Sequence, residues 1–151
     1  MRASARALAM EVSRTFADVP RPPTDGISET PGNDDGTAEH FADRLWQELT
    51  EPHLMKHRYA LSFFTPSAFV YFLPAFLKVA LESGNVDLIG ETITAVTPPK
   101  NNPKRPSYWR WWTLLTASQQ RVIIKCLRHW DSLKHGELQP AANALEATVA
   151  A

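Results

Sequence analysis

Apolar residues recur at intervals of three and four along most of the chain, the spacing that lines one face of an α-helix. Leu8, Val12 and Phe16 stand four apart and give the first segment one apolar stripe. Further on, Thr37 is placed to cap a second helix whose stripe is Phe41, Leu45, Trp46 and Leu49. Thr50 then precedes EPHLMKHRYAL, where Pro52 falls in a first helical turn and costs no hydrogen bond there. Leu54, Met55 and Tyr59 are expected to point inward.

The clearest helix start is SFFTPSAFVYFLPAFLKVALESG, with Thr65 as cap and Pro66 at the first helical position. Phe69, Phe72, Leu73, Phe76, Leu77 and Ala80 form a broad apolar face, and Gly84 is placed for a left-handed end. Pro74 lies inside this helix and removes the hydrogen bond to the Val70 carbonyl, so a kink is expected. That costs about 3 kcal/mol in a plain helix, which the apolar surroundings must offset.

NVDLIGETITAV predicts one short further helix, although ETITAV is the only β-branched stretch that competes for strand. In TASQQRVIIKCLRHWDSLKHG, Thr116 and Gln119 fit a capping box and Gly136 is placed to end the helix. Val122, Ile123, Cys126, Leu127 and Trp130 line one face, and Arg121, Lys125 and Arg128 the other. The end, ELQPAANALEATVAA, has no distinctive pattern and is expected as a loosely held helix or disorder.

The pattern therefore predicts an all-α, compact single-domain bundle of about five to six helices over residues 1–136. Residues 137–151 are expected as a weakly ordered tail. Eight of the twelve prolines fall in two intervals, residues 18–36 and 97–107, which are expected as loops because proline fixes φ and lacks an amide donor.

Composition adds limits. A chain of 151 residues with 44% hydrophobic residues suits one domain with its own core. No run reaches the roughly 20 apolar residues that a bilayer span needs, and AFVYFLPAFLKVAL is broken by Pro74 and meets Lys78. No membrane association is expected. The lone Cys126 leaves no partner for an internal disulfide or a paired-cysteine metal site and favours a reducing compartment, most simply the cytoplasm. The start, MRASARALAMEVSRTF, has the arginine and alanine of a transit peptide, but Glu11 interrupts its basic character, and it reads as a native helix.

Charge is balanced in total and uneven along the chain. Residues 1–97 hold 8 Lys or Arg against 13 Asp or Glu, whereas residues 98–135 hold 8 Lys or Arg against Asp131 alone. Such asymmetry marks either a surface for an acidic partner or two halves that pack on each other.

The basic half contains SYWRWW, residues 107–112, with three of the five tryptophans. Lys100, Lys104, Arg105 and Arg110 alternate there with Tyr108, Trp109, Trp111 and Trp112. Cations attract phosphates and aromatic faces stack on bases, and Arg121, Lys125 and Arg128 would extend the positive surface. Trp112, Leu114 and Leu115 are expected to point inward, leaving Trp109 and Trp111 beside Arg110 to face a partner.

Other constellations are weaker. His53 and His57 are four apart, the spacing of a two-histidine metal site, but Leu54 stands where a zinc protease needs its glutamate. Cys126 and His129 are three apart, with the cysteine on the apolar face of a buried structural thiol. Asp34, Asp35 and Glu39 lack the alternating spacing of a calcium loop and read as solvated. The six glycines form no phosphate cradle. No catalytic residue, metal or cofactor is expected.

Several short motifs, taken in order, resemble an uncharacterised bacterial family of small helical proteins. Tyr71, Phe72, Leu73, Pro74, Ala75 and Phe76 carry a tyrosine, aromatic, Leu-Pro-Ala helix; Leu115, Thr116 and Gln119 carry a later Leu-Thr-x-x-Gln helix start. FADVPRP (16–22) and FADRLWQEL (41–49) also fit, so the likeness spans residues 14–133. In this family an aromatic at the position of Trp112 belongs to the helix start, which implies packing. Some relatives carry a cysteine pair in the first loop; this chain has GNDDG instead, so no metal or redox role carries over. The resemblance implies a helical fold and no particular activity.

Two functions are open on these grounds. The first is a non-catalytic module that binds another protein, with Lys104, Arg105, Trp109, Arg110, Trp111, Arg121, Lys125 and Arg128 as interface candidates, since interfaces favour aromatic and arginine anchors. The second is nucleic-acid binding through the 100–112 stretch and the Arg121, Lys125 and Arg128 face.

Overall fold

The computed structural model describes residues 3–98, 106–134 and 137–149. These form eight α-helices: α1 (Ala3–Thr15), α2 (Thr37–Phe41), α3 (Glu51–Lys56), α4 (Pro66–Ser83), α5 (Val86–Val96), α6 (Pro106–Trp112), α7 (Ala117–Trp130) and α8 (Gln139–Glu146). Three 3-10 turns, Trp46–Glu48, Ala60–Ser62 and Asp131–Lys134, complete the regular structure, and no strand occurs among the described residues. The all-α expectation is met.

Helix α4 is the axis of the bundle. Every residue from Ala68 to Leu77 is buried, as expected of a helix apolar on all sides and enclosed by others. It packs against α1, α3, α5 and α6, while α7 packs against α1 and α8. The helix continues through buried Pro74. Each enclosed Phe or Leu contributes about 1.5–3 kcal/mol, so two of them offset the proline.

The caps follow the sequence closely. The Thr65 hydroxyl accepts from the Ala68 amide, and Gly84 closes α4 at φ 68°. The Asn85 side chain accepts from the Leu88 amide and starts α5. Thr116 and Gln119 make the reciprocal capping box of α7. The β-branched ETITAV stretch is helical, because Thr92, Ile93 and Val96 are buried on one helical face.

Several local expectations are corrected. Residues 37–49 do not form one helix: α2 ends at Phe41 and the chain resumes as a turn at Trp46. Phe41, Trp46 and Leu49 are buried, but Leu45 is 44% exposed. Asp34, not Thr37, caps α2; its carboxylate accepts from the amides of Gly36 at 3.2 Å and Ala38 at 3.0 Å. This buries Asp34, expected in solvent. Gly36 permits the turn into the helix by taking φ 78°. Tyr59 and Leu114, expected inward, are exposed. Finally, α7 ends at Trp130 and continues as a 3-10 turn; Gly136, expected to end it, lies outside the described residues.

The first proline-rich interval is a loop, yet it is docked. Ile27 is buried, its carbonyl accepts from the Thr65 amide at 3.0 Å, and the Glu29 amide donates to the Phe63 carbonyl at 2.9 Å. The Thr65 hydroxyl also donates to the Gly26 carbonyl. The C-terminal segment, expected as a weakly ordered tail, carries α8 with Ala142 and Leu145 buried. Asp131 receives the Leu138 amide at 2.9 Å and the Gln139 side-chain amide at 3.0 Å, and the Trp112 indole N–H donates to the Thr148 hydroxyl at 3.0 Å.

Candidate functional site

A cleft of about 530 Å³ opens where the start of α4 meets α5 and α6. Its floor is apolar, made by Leu61, Phe64, Phe69, Tyr108 and Trp111, all buried. Its rim is charged and polar: Arg58, Tyr59 and Ser62 lead into α4, Glu91 and Thr94 belong to α5, Arg110 to α6, and Glu29 to the first loop. An apolar floor with a few convergent polar groups is the usual form of a binding site.

Helix α6 builds one wall, and its short length makes its anchors decisive. Trp111 stacks on Phe69 with centroids 4.2 Å apart, and Tyr108 meets Trp111 edge-on at 4.8 Å. The Tyr108 hydroxyl donates to the Val96 carbonyl at 2.6 Å, tying α6 to the end of α5. Burial pushes the Tyr108 phenol well above its ordinary value, so it remains a neutral donor.

The two rim arginines differ. The Arg58 guanidinium lies 5.1 Å from the centre of the Tyr59 ring, and Tyr59, then Asp87 and Glu91, raise its pKa. Arg110 is exposed and makes no ion pair among the described residues. Tyr59 is 53% exposed and is the aromatic ring most open to a partner in this cleft.

The interface candidates from the sequence are not brought together. Trp111 is buried in the floor, which corrects its assignment to a partner-facing surface. Trp109 is half-buried and packs against the core. Arg121, Lys125 and Arg128 are exposed on α7 as expected, but Lys125 pairs with Glu11 of α1 at 2.6 Å and Arg128 with Glu146 of α8 at 2.5 Å. Two of these three cations therefore tie helices of the same chain together. Lys104 and Arg105, with Lys100, lie outside the described residues.

The histidine pair acquires a third member. His40, from α2, lies 4.3 Å from His57 and 6.0 Å from His53, centre to centre. No group of three His, Cys, Asp or Glu among the described residues is arranged to hold a metal ion. Burial, followed by the His57 charge, lowers His40 to about 4, and burial with Lys56 lowers His57. Cys126 is fully buried and its thiol is pushed up by that burial, the condition of an inert structural cysteine.

Sequence reasoning missed Arg58, Tyr59, Glu91 and Thr94 because no spacing links them. They lie on two separate segments, the stretch before α4 and helix α5, and meet only when α5 docks on the start of α4. Tyr59 gave a misleading signal, being in phase with Met55 on an extended α3 that in fact stops at Lys56.

Fold and cleft together define a small all-α bundle with one mixed aromatic and charged cleft. No helix among the described residues is long and apolar enough to cross a membrane. The chain belongs to a family of unknown function, described as Family of unknown function (DUF6714), whose pattern matches residues 6–148. No curated protein and no solved structure is significantly similar to it.

Proposed function

We propose that this chain is a protein-interaction module that acts by binding and not by catalysis, as a regulator, adaptor or immunity-type neutraliser. The cleft between α5 and α6 is the contact site. The observation that carries this reading is the pairing of an aromatic floor with the open Tyr59 ring and an exposed Arg110 that makes no ion pair among the described residues. Aromatic and arginine side chains supply most hot spots of protein interfaces, because they bury large areas while keeping a directional polar end. The single buried cysteine supports work in a reducing compartment, and we place the protein in the bacterial cytoplasm.

Nucleic-acid binding is the competing reading. The ion pairs of Lys125 and Arg128 count against it, since a phosphate must compete with Glu11 and Glu146 for those cations.

The test is isolation of a stoichiometric protein complex from the native host, followed by reconstitution with purified partner. Tyr59→Ala and Arg110→Glu, both at exposed positions, are expected to weaken that complex at least tenfold without loss of fold. A complex indifferent to both changes, or salt-sensitive binding of a fluorescent oligonucleotide with no protein partner, would sink the proposal.

A further inference from the structure

His40, His53 and His57 pack into one cluster where α2 meets α3, and hydrogen bonds limit where its protons can sit. His40 Nε2 stands 3.1 Å from the His53 carbonyl, which only accepts, so Nε2 is the protonated nitrogen and Nδ1 is bare. His53 meets a donor at each ring nitrogen, although its neutral ring has only one lone pair to accept with: the Thr50 amide stands 3.1 Å from Nδ1, and Nε2 lies on the other side of the ring. Arg44 Nη1, a donor only, lies 3.2 Å from that Nε2. Arg44 is held there because its Nε donates to the His40 carbonyl at 2.8 Å. The neutral cluster thus already contains one donor-to-donor approach, and it has little room for further positive charge.

We propose that this cluster is an acid-sensitive clasp: uncharged imidazoles hold α2 and its preceding turn against α3, and protonation releases them. The surroundings determine the direction. Arg44 and Lys56 are permanent cations beside the cluster, on the segment after α2 and on α3. Asp34 and Asp35, in the turn before α2, are the anions that act on His57. Asp34 is already committed to the amides of Gly36 and Ala38. Glu39, Asp43 and Glu51 belong to the same segments and form no ion pair with these histidines. Helix α4 faces α2 through Phe72 and Phe76, which pack on Phe41 and carry no charge.

A charge at His40 would sit with its ring centre 4.3 Å from that of His57 and 4.8 Å from that of Phe41, whose ring stands nearly perpendicular to it. Its folded-state pKa of about 4 lies below the ordinary 6.5, so the opened segment takes up protons first. The hold of the clasp is therefore complete above about pH 6.5 and declines as pH falls from there toward about 4.

Amide hydrogen exchange at pH 7.5 and 5.0, corrected for intrinsic rates, tests this on the intact chain. Amides of residues 36–56 are expected to exchange at least tenfold faster at pH 5.0 relative to those of α7. His40→Gln retains an amide donor toward the His53 carbonyl but cannot titrate, and is expected to abolish most of that acid-induced gain. Proton NMR of the wild-type imidazoles supplies a readout independent of the variant, with His40 expected to titrate at least one unit below an unfolded histidine. Uniform loss of protection in residues 36–56 and α7, acid opening that survives His40→Gln, or an ordinary titration of His40 would each overturn the proposal.

Discussion

The Trp111 indole stacks on the Phe69 ring with 28° between their planes, which makes a tryptophan of the basic stretch part of the core. Offset stacking of this kind adds about 0.5–1.5 kcal/mol to the area both rings bury. Truncation of Trp111 to alanine is expected to cost about 3–5 kcal/mol. Trp109→Ala, at a half-buried position, is expected to cost clearly less. Urea denaturation of both variants checks the order, and a Trp111→Ala protein as stable as Trp109→Ala would contradict the packing role.

Gln119 holds two ends together at once. Its side-chain carbonyl accepts from the Thr116 amide at 2.9 Å, while its amide donates to the Thr15 carbonyl at 3.3 Å, joining α7 to the end of α1. Thr116→Ala is expected to remove about 1 kcal/mol, the usual value of a cap. Gln119→Ala removes a box partner and an inter-helix bond, and its melting temperature is expected below that of Thr116→Ala.

The ion pairs of α7 are a weak brace. Lys125 and Glu146 are more than half exposed, so solvent screens both pairs. Lys125→Ala and Arg128→Ala are each expected to change stability by less than about 1 kcal/mol, with the difference shrinking further in 1 M salt. Chemical denaturation in low and high salt measures both effects. A loss well above that limit would mean that these side chains brace the helices by packing as well as charge.

Asp34 links the first loop to acid stability. Burial opposes its charge, but hydrogen bonds from the Ala38 amide, the Ser28 hydroxyl and the Gly36 amide outweigh this and hold its pKa below the ordinary 3.8. The carboxylate's contribution is therefore present above about pH 4 and is lost as pH falls through the lowered folded-state value. Asp34→Ala is expected to cost about 0.5–2 kcal/mol at neutral pH. The difference from wild type should narrow below pH 3.8 in an acid titration followed by circular dichroism.

Helix starts were the most legible part of the chain. Thr65 with Pro66, and Thr116 with Gln119, carry their capping chemistry within four residues, so local sequence suffices to place them. Legibility failed where a helix was too short for its period to assert itself. Met55 and Tyr59 are in phase on a continued helix, but α3 has ended and Tyr59 turns outward. Leu114 and Leu115 are adjacent apolar residues just beyond α6, and only Leu115 is buried.

The sequence by itself determined a helical chain, most of its caps, and an apolar α4 that had to be central. Tertiary structure decided which tryptophan of SYWRWW faces inward, and it brought Arg58, Tyr59, Glu91 and Arg110 to one cleft. It also added His40 to His53 and His57 and spent Lys125 and Arg128 on ion pairs within the chain. The reason is physical: a 3.6-residue period specifies which face of a helix is apolar, whereas the neighbours that cover that face depend on how the helices cross.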